Sequence, residues 1–107
     1  MSQRDEKLKD LIKNTAADFM QKQSNYTSLI TITDVSLSDR GKRARIFFTV
    51  LPVEKEKAAL DFAKRMRAEF QNFFAEHARM RALPYFDFEI DKGEKNRQHI
   101  DEISQTL

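Results

Sequence analysis

A chain of 107 residues is expected to form one hydrophobic core and a single domain over residues 1–107. It has no cysteine, which excludes disulfides, thiolate zinc sites and a cysteine nucleophile and fits a reducing, cytoplasmic setting. A net charge of +2 says little about partners by itself. Charges scattered through the first twenty residues argue against a signal peptide, and no apolar run approaches the roughly 20 residues that cross a bilayer, so no membrane partner is expected.

The first element is a helix over about Asp5 to Gln21. Leu8, Leu11, Ile12, Ala16, Phe19 and Met20 recur at three- and four-residue spacing, which makes one buried stripe. Gln23 to Thr27 is polar and reads as a loop. Ser28 to Leu37 is rich in β-branched residues and reads as a strand, with Ile30 and Ile32 facing one way and Thr31 and Thr33 the other. Val35 and Leu37 fall on the opposite parity, and a bulge near Asp34 resolves the change of phase.

Ser38-Asp39-Arg40-Gly41 is a turn leading into a second strand over Lys42 to Leu51. In that strand Ala44, Ile46, Phe48 and Val50 alternate with Arg43, Arg45, Phe47 and Thr49. Pro52 closes it. Val53 to His77 contains no Gly or Pro, and Leu60, Ala63, Met66, Phe70, Phe73, Phe74 and His77 share a stripe, which fits one long helix or two in series. Leu83-Pro84 ends that region. Tyr85 to Asp91 alternates as a third strand with Phe86, Phe88 and Ile90 inward. Ile100 and Ile103 suggest a short last helix. This order describes a two-layer α+β arrangement, a three-stranded sheet with helices on one face. Phe48, Phe70, Phe73, Phe86 and Phe88 are expected to be buried together.

Charge is distributed unevenly. Arg40, Lys42, Arg43 and Arg45 crowd the turn and the strand leaving it, and Lys64, Arg65, Arg67, Arg79 and Arg81 lie on or after the helical region. The C-terminal part is acidic. Such polarity can present a basic face on a nearly neutral chain. The turn can reach phosphates, and an edge-protecting run of cations would give the same pattern. Arg79 and Arg81 sit where a helix gives way to a loop and could bind phosphate bidentately, whereas Lys64 to Arg67 also fit an ordinary polar helix face.

The helical spacing of Phe70, Phe73 and Phe74 points to core rather than to a base-stacking platform, and Tyr26 and Phe47 are the aromatics least clearly assigned to it. His77 and His99 are isolated, and the row Asp87, Glu89 and Asp91 reads as a solvated face rather than a cation site. Gly41 and Gly93 are the only glycines, so no phosphate-cradling loop of the nucleotide-binding kinds is present. No nucleophile, base and orienter grouping occurs. No catalytic residue, metal or cofactor is expected.

The string Arg79-Met80-Arg81-Ala82-Leu83-Pro84-Tyr85-Phe86-Asp87-Phe88-Glu89-Ile90-Asp91 resembles the signature of the bacterial ribosome-binding factor A family, in which a basic helix end precedes a Pro and a strand closing with Asp. Leu29 to Val35 followed by Ala44 to Val50 is similar to that family's first hairpin, and the likeness runs from the first helix to Ile103. The resemblance implies a type II KH-like fold without the usual Gly-x-x-Gly loop and a role in late maturation of the small (30S) ribosomal subunit. Its implied partner is 16S rRNA, bound by a non-enzymatic monomer. The family's helix kink at an Ala-x-Gly motif matches Met66-Arg67-Ala68 here, so the kink residues are not kept, and Asp5, Glu6 and Asp10 dilute the basic first helix. Two other functions stay open on the residues themselves: a KH-like or ferredoxin-like protein-interaction module with no RNA partner, and a small α+β enzyme.

Overall fold

The computed structural model describes residues 3–23, 28–80 and 82–93. The expected last helix, Tyr26, Arg81 and His99 lie outside them. The elements run α1 (Gln3–Gln23), β1 (Leu29–Ser38), a 3-10 turn (Asp39–Gly41), β2 (Arg43–Leu51), a second 3-10 turn (Val53–Lys55), α2 (Glu56–Arg65), α3 (Arg67–Ala78) and β3 (Tyr85–Ile90).

The sheet has the order β1-β2-β3. β1 and β2 form the antiparallel hairpin, with the register shifted between Ile32 and Asp34 where the parity of the sequence changes. The extra residue puts Ile32 and Val35 on the same face as Phe48 and Ile46, their partners across the ladder. Asp34 closes the irregularity with a side-chain oxygen 2.8 Å from the amide of Val35. β2 and β3 are parallel, because the chain crosses back through α2 and α3 before pairing again.

The helices cover one face of this sheet, α1 over β1 and α2 and α3 over β2 and β3. Between the layers lie Ile12, Ala16, Phe19, Ile32, Val35, Ile46, Phe48, Ala63, Phe70, Phe74, Phe86 and Phe88, all buried. Phe70 is the centre of an edge-on cluster, with ring centroids 5.4 Å from Phe19, 4.9 Å from Phe86 and 5.7 Å from Phe88. Edge-to-face aromatic pairs of this kind add to the area they bury. The layer arrangement is α+β and KH-like, as expected.

The helical region is two helices, parted at Met66, where ψ opens to 2°. The break falls where the family's kink motif maps, with Met66 and Ala68 standing where that motif has Ala and Gly. Its physical reason lies in what each helix buries. α2 turns the small Ala59 and Ala63 to the core and α3 turns the rings of Phe70 and Phe74 to it, so the two helices bring very different side-chain volumes to the layer between helices and sheet.

Three expectations are corrected at the margins. Leu11 is exposed rather than on the buried stripe of α1, its neighbourhood being filled by Ile12 and the buried Thr15. Phe73 is half-buried rather than fully buried, and Phe74 takes its place among the rings with no exposure. His77 is exposed, its side chain turned back along the helix onto Phe73 rather than into the core. Its ring lies 4.2 Å from that of Phe73 and its Nδ1 is 2.8 Å from the Phe73 carbonyl oxygen.

Candidate nucleic-acid interface

The cations proposed from sequence separate into two ends of the molecule. At one end the start of α1, the turn after β1 and the loop before β3 meet. Arg4, Asp5, Leu8, Arg40, Gly41, Lys42, Met80, Ala82 and Leu83 line a common cleft there. The amide of Tyr85 donates to the carbonyl of Lys42 at 2.8 Å and ties the loop to the turn. Among these lining residues three cations face one carboxylate, Asp5. Arg4 was not singled out in the sequence, where neighbouring acids masked it. Its signal is only position, the first turn of a helix whose Leu8 packs toward Gly41.

Beside this cleft, at the start of β3, Arg43 and Arg67 converge on one ring. The guanidinium carbon of Arg67 lies 4.3 Å from the centroid of Tyr85 and that of Arg43 lies 5.3 Å away. Arg43 is there because it pairs with Tyr85 in the parallel ladder. Arg67 is there because the break at Met66 turns the start of α3 toward β3, and its Nη1 lies 3.5 Å from Oε1 of Gln71. Tyr85 was expected only to face outward on its strand, so its role as the platform between two distant cations was missed.

Two of the proposed arginines hold an unusual backbone. Asp39, Arg40 and Gly41 form three consecutive left-handed residues, with φ of 54°, 57° and 82°. Arg79 ends α3 with φ 52°, ψ 39°, at the position where a helix most often places Gly. For residues other than Gly this conformation costs about 1–2 kcal/mol, and Asp tolerates it better than Arg. Both arginines therefore stand at positions that Gly would fill with less strain.

Arg45 and Lys64 are placed differently. Arg45 lies on the open face of the sheet with its Nε 4.0 Å from Glu89, an exposed pair worth little in stability that nonetheless offsets its charge. Lys64 lines a second cleft past the other end of β3, with Leu60, Glu56, Glu89, Asp91 and Lys92. Arg65 ends α2 and is exposed. The hydroxyl of Thr33, at the bulge, is 2.5 Å from Oδ2 of Asp91 and joins β1 to that end. The structure thus places Arg40 and Lys42 in one cleft with Arg4, brings Arg43 and Arg67 together on Tyr85, sets Arg79 one residue before the lining Met80, and leaves Lys64 among carboxylates.

Comparisons with known proteins identify the family and the fold. The family model described as ribosome-binding factor A matches residues 4–104. A ribosome-binding factor A of Thermodesulfovibrio yellowstonii is 30% identical over 96% of this chain and 92% of its own length. The crystal structure of ribosome-binding factor A from Thermus thermophilus superposes with a TM-score of 0.70 at 25% identity, covering 78% of this chain and 90% of that one. A homology model of the Thermus thermophilus factor, fitted into a cryo-EM map of a complex of that protein with the 30S subunit, has the same fold, with a TM-score of 0.67 at 24% identity over 77% of this chain and 89% of that one. The chain belongs to the ribosome-binding factor A family.

Proposed function

We propose that this chain is a cytoplasmic maturation factor of the small ribosomal subunit that acts as a single-domain monomer and docks on 16S rRNA through the cationic end, with no catalysis of its own. Arg4, Arg40, Lys42, Arg43, Arg67 and Arg79 neutralise phosphates, and Arg81, which follows them in the sequence outside the described residues, is assigned the same role. Lys64, Arg65 and Arg45 contribute less. The absence of a Gly-x-x-Gly segment in the sequence removes the usual KH grip on single strands, so recognition rests mainly on the shape and phosphate pattern of folded RNA.

The observation that carries this reading is the left-handed backbone at Arg40 and Arg79. A residue kept in a costly conformation where Gly would fit is explained by what its side chain does, and here both are arginines, Arg40 lining a cleft whose described lining has three cations to one acid and Arg79 preceding Met80 of the same cleft. A structural role for the same two positions would favour Gly. The complex formed by the Thermus factor with the 30S subunit supplies the partner class.

The test is co-sedimentation of the chain with isolated small subunits across a salt series. Affinity should fall steeply with salt, as counterion release from phosphate contacts demands. Absence of binding at every ionic strength would favour a protein-interaction module instead.

A further inference from the structure

We infer that Tyr85 is a stacking site for one unpaired nucleobase, with Arg43 and Arg67 holding the phosphates on either side of it. The inference rests on the RNA-binding reading above and adds a ligand class to it: a flipped or single-stranded nucleotide, gripped without a Gly-x-x-Gly loop.

The ring is built for this more than for packing. Tyr85 is 42% exposed although it begins a strand whose next residue, Phe86, is fully buried. Its backbone is fixed by the parallel ladder, in which it pairs with Arg43 and its N–H donates to the carbonyl of Lys42 at 2.8 Å. Buried Pro84 precedes it and restricts its entry. A flat ring held rigidly at the surface loses little freedom when a base lies on it.

The two arginines are not equivalent. Arg67 is half-buried, 4.3 Å from the ring centre and anchored at Gln71, so it is the fixed member. Arg43 is exposed and stands a further ångström away at 5.3 Å, so it is the one that can yield the ring to a base and turn to a phosphate. Cations beside an aromatic platform are the common composition of single-strand sites, and because every base has a π-face such sites tolerate any sequence. The neighbouring cleft with Arg4, Arg40 and Lys42 continues the path for the backbone away from the ring.

Composition supplies a direct probe. The chain has two tyrosines and no tryptophan, so a Tyr26→Phe variant leaves Tyr85 as the sole tyrosine emitter. Titrating that variant with a short oligouridylate should quench its emission, whereas an abasic strand of equal length, with the same phosphates, should not. Tyr85→Leu should bind the oligouridylate about 5-fold or more weakly with an unchanged salt slope, since it removes a ring and no charge, and Tyr85→Phe should bind like the parent. An unquenched Tyr85, or a Tyr85→Leu chain that binds as tightly as the parent, overturns the stacking site. If Tyr85→Leu fails to fold, the quenching result decides alone. Salt-dependent binding of the parent to small subunits with no quenching would remove the stacking site and leave the docking face standing. Loss of that subunit binding in the parent would remove the docking face itself.

Discussion

The two ends of β3 both carry cations and have opposite characters. Before its first residue the strand meets the cleft of Arg4, Arg40 and Lys42, where Asp5 is the only acid among the lining residues. Past its last residue it meets a cleft in which Glu56, Glu89 and Asp91 surround Lys64 and Lys92. A near-neutral total therefore conceals a field that points along the strand, and what makes a cation available to RNA is the company the fold gives it rather than its presence in the sequence.

The backbone differs between the ends in the same sense. The cationic end contains four left-handed residues, Asp39, Arg40, Gly41 and Arg79. The acidic end relies on ordinary ladder pairing, closed by the amide of Asp91 donating to the carbonyl of Phe48 at 2.8 Å and by Thr33. Strain collects where the proposed contacts are.

Both ends depend on one core, so the largest effect expected is common to them. Phe70→Ala should cost about 3–5 kcal/mol, because it empties the centre of the ring cluster joining α1, α3 and β3. Thermal unfolding should show the drop, with subunit binding lost together with the fold. A variant of unchanged stability would break the packing account.

A smaller effect should separate the ends. Gly41→Ala meets only Leu8, at 3.9 Å, so space is not limiting, but φ of 82° penalises any Cβ by about 1–2 kcal/mol. Gly93, at the other end, lies outside the left-handed region and its added Cβ would rest 3.5 Å from Asp91. Gly93→Ala should be neutral or stabilising by up to about 1 kcal/mol through the unfolded chain. Chemical denaturation of the pair checks this, and equal effects would show that the turn is not held in the left-handed geometry.

Much of this fold is legible in the sequence because its signals are local. The parity switch between Ile32 and Val35 announces the bulge, and the alternation in Arg43–Leu51 and Tyr85–Ile90 announces which face is buried. Phe73, His77 and Leu11 were less legible, since helical spacing says which side a residue faces but not how fully the core covers it. The site is legible in its ingredients and not in its grouping. Arg43 and Arg67 lie 24 positions apart in sequence and meet only because α3 turns at Met66 and β3 pairs parallel to β2. Nor does arginine signal a left-handed backbone, so the strain at positions 40 and 79 had no sequence cue beyond the nearby Gly41.

The central claim is that the end of the molecule, and not the count of cations, sets RNA affinity. It is tested most directly by comparing Arg40→Gly/Arg79→Gly with Lys64→Ala/Lys92→Ala, the two cations of the acidic cleft, in small-subunit binding across a salt series, with denaturation alongside. The first pair should lose affinity and about one unit of salt slope per contact removed, while stability holds or rises, because Gly relieves the left-handed strain. The second pair should change slope and affinity little, and stability by no more than about 0.5 kcal/mol. Equal losses in the two pairs, or a loss confined to Lys64→Ala/Lys92→Ala, would contradict the account.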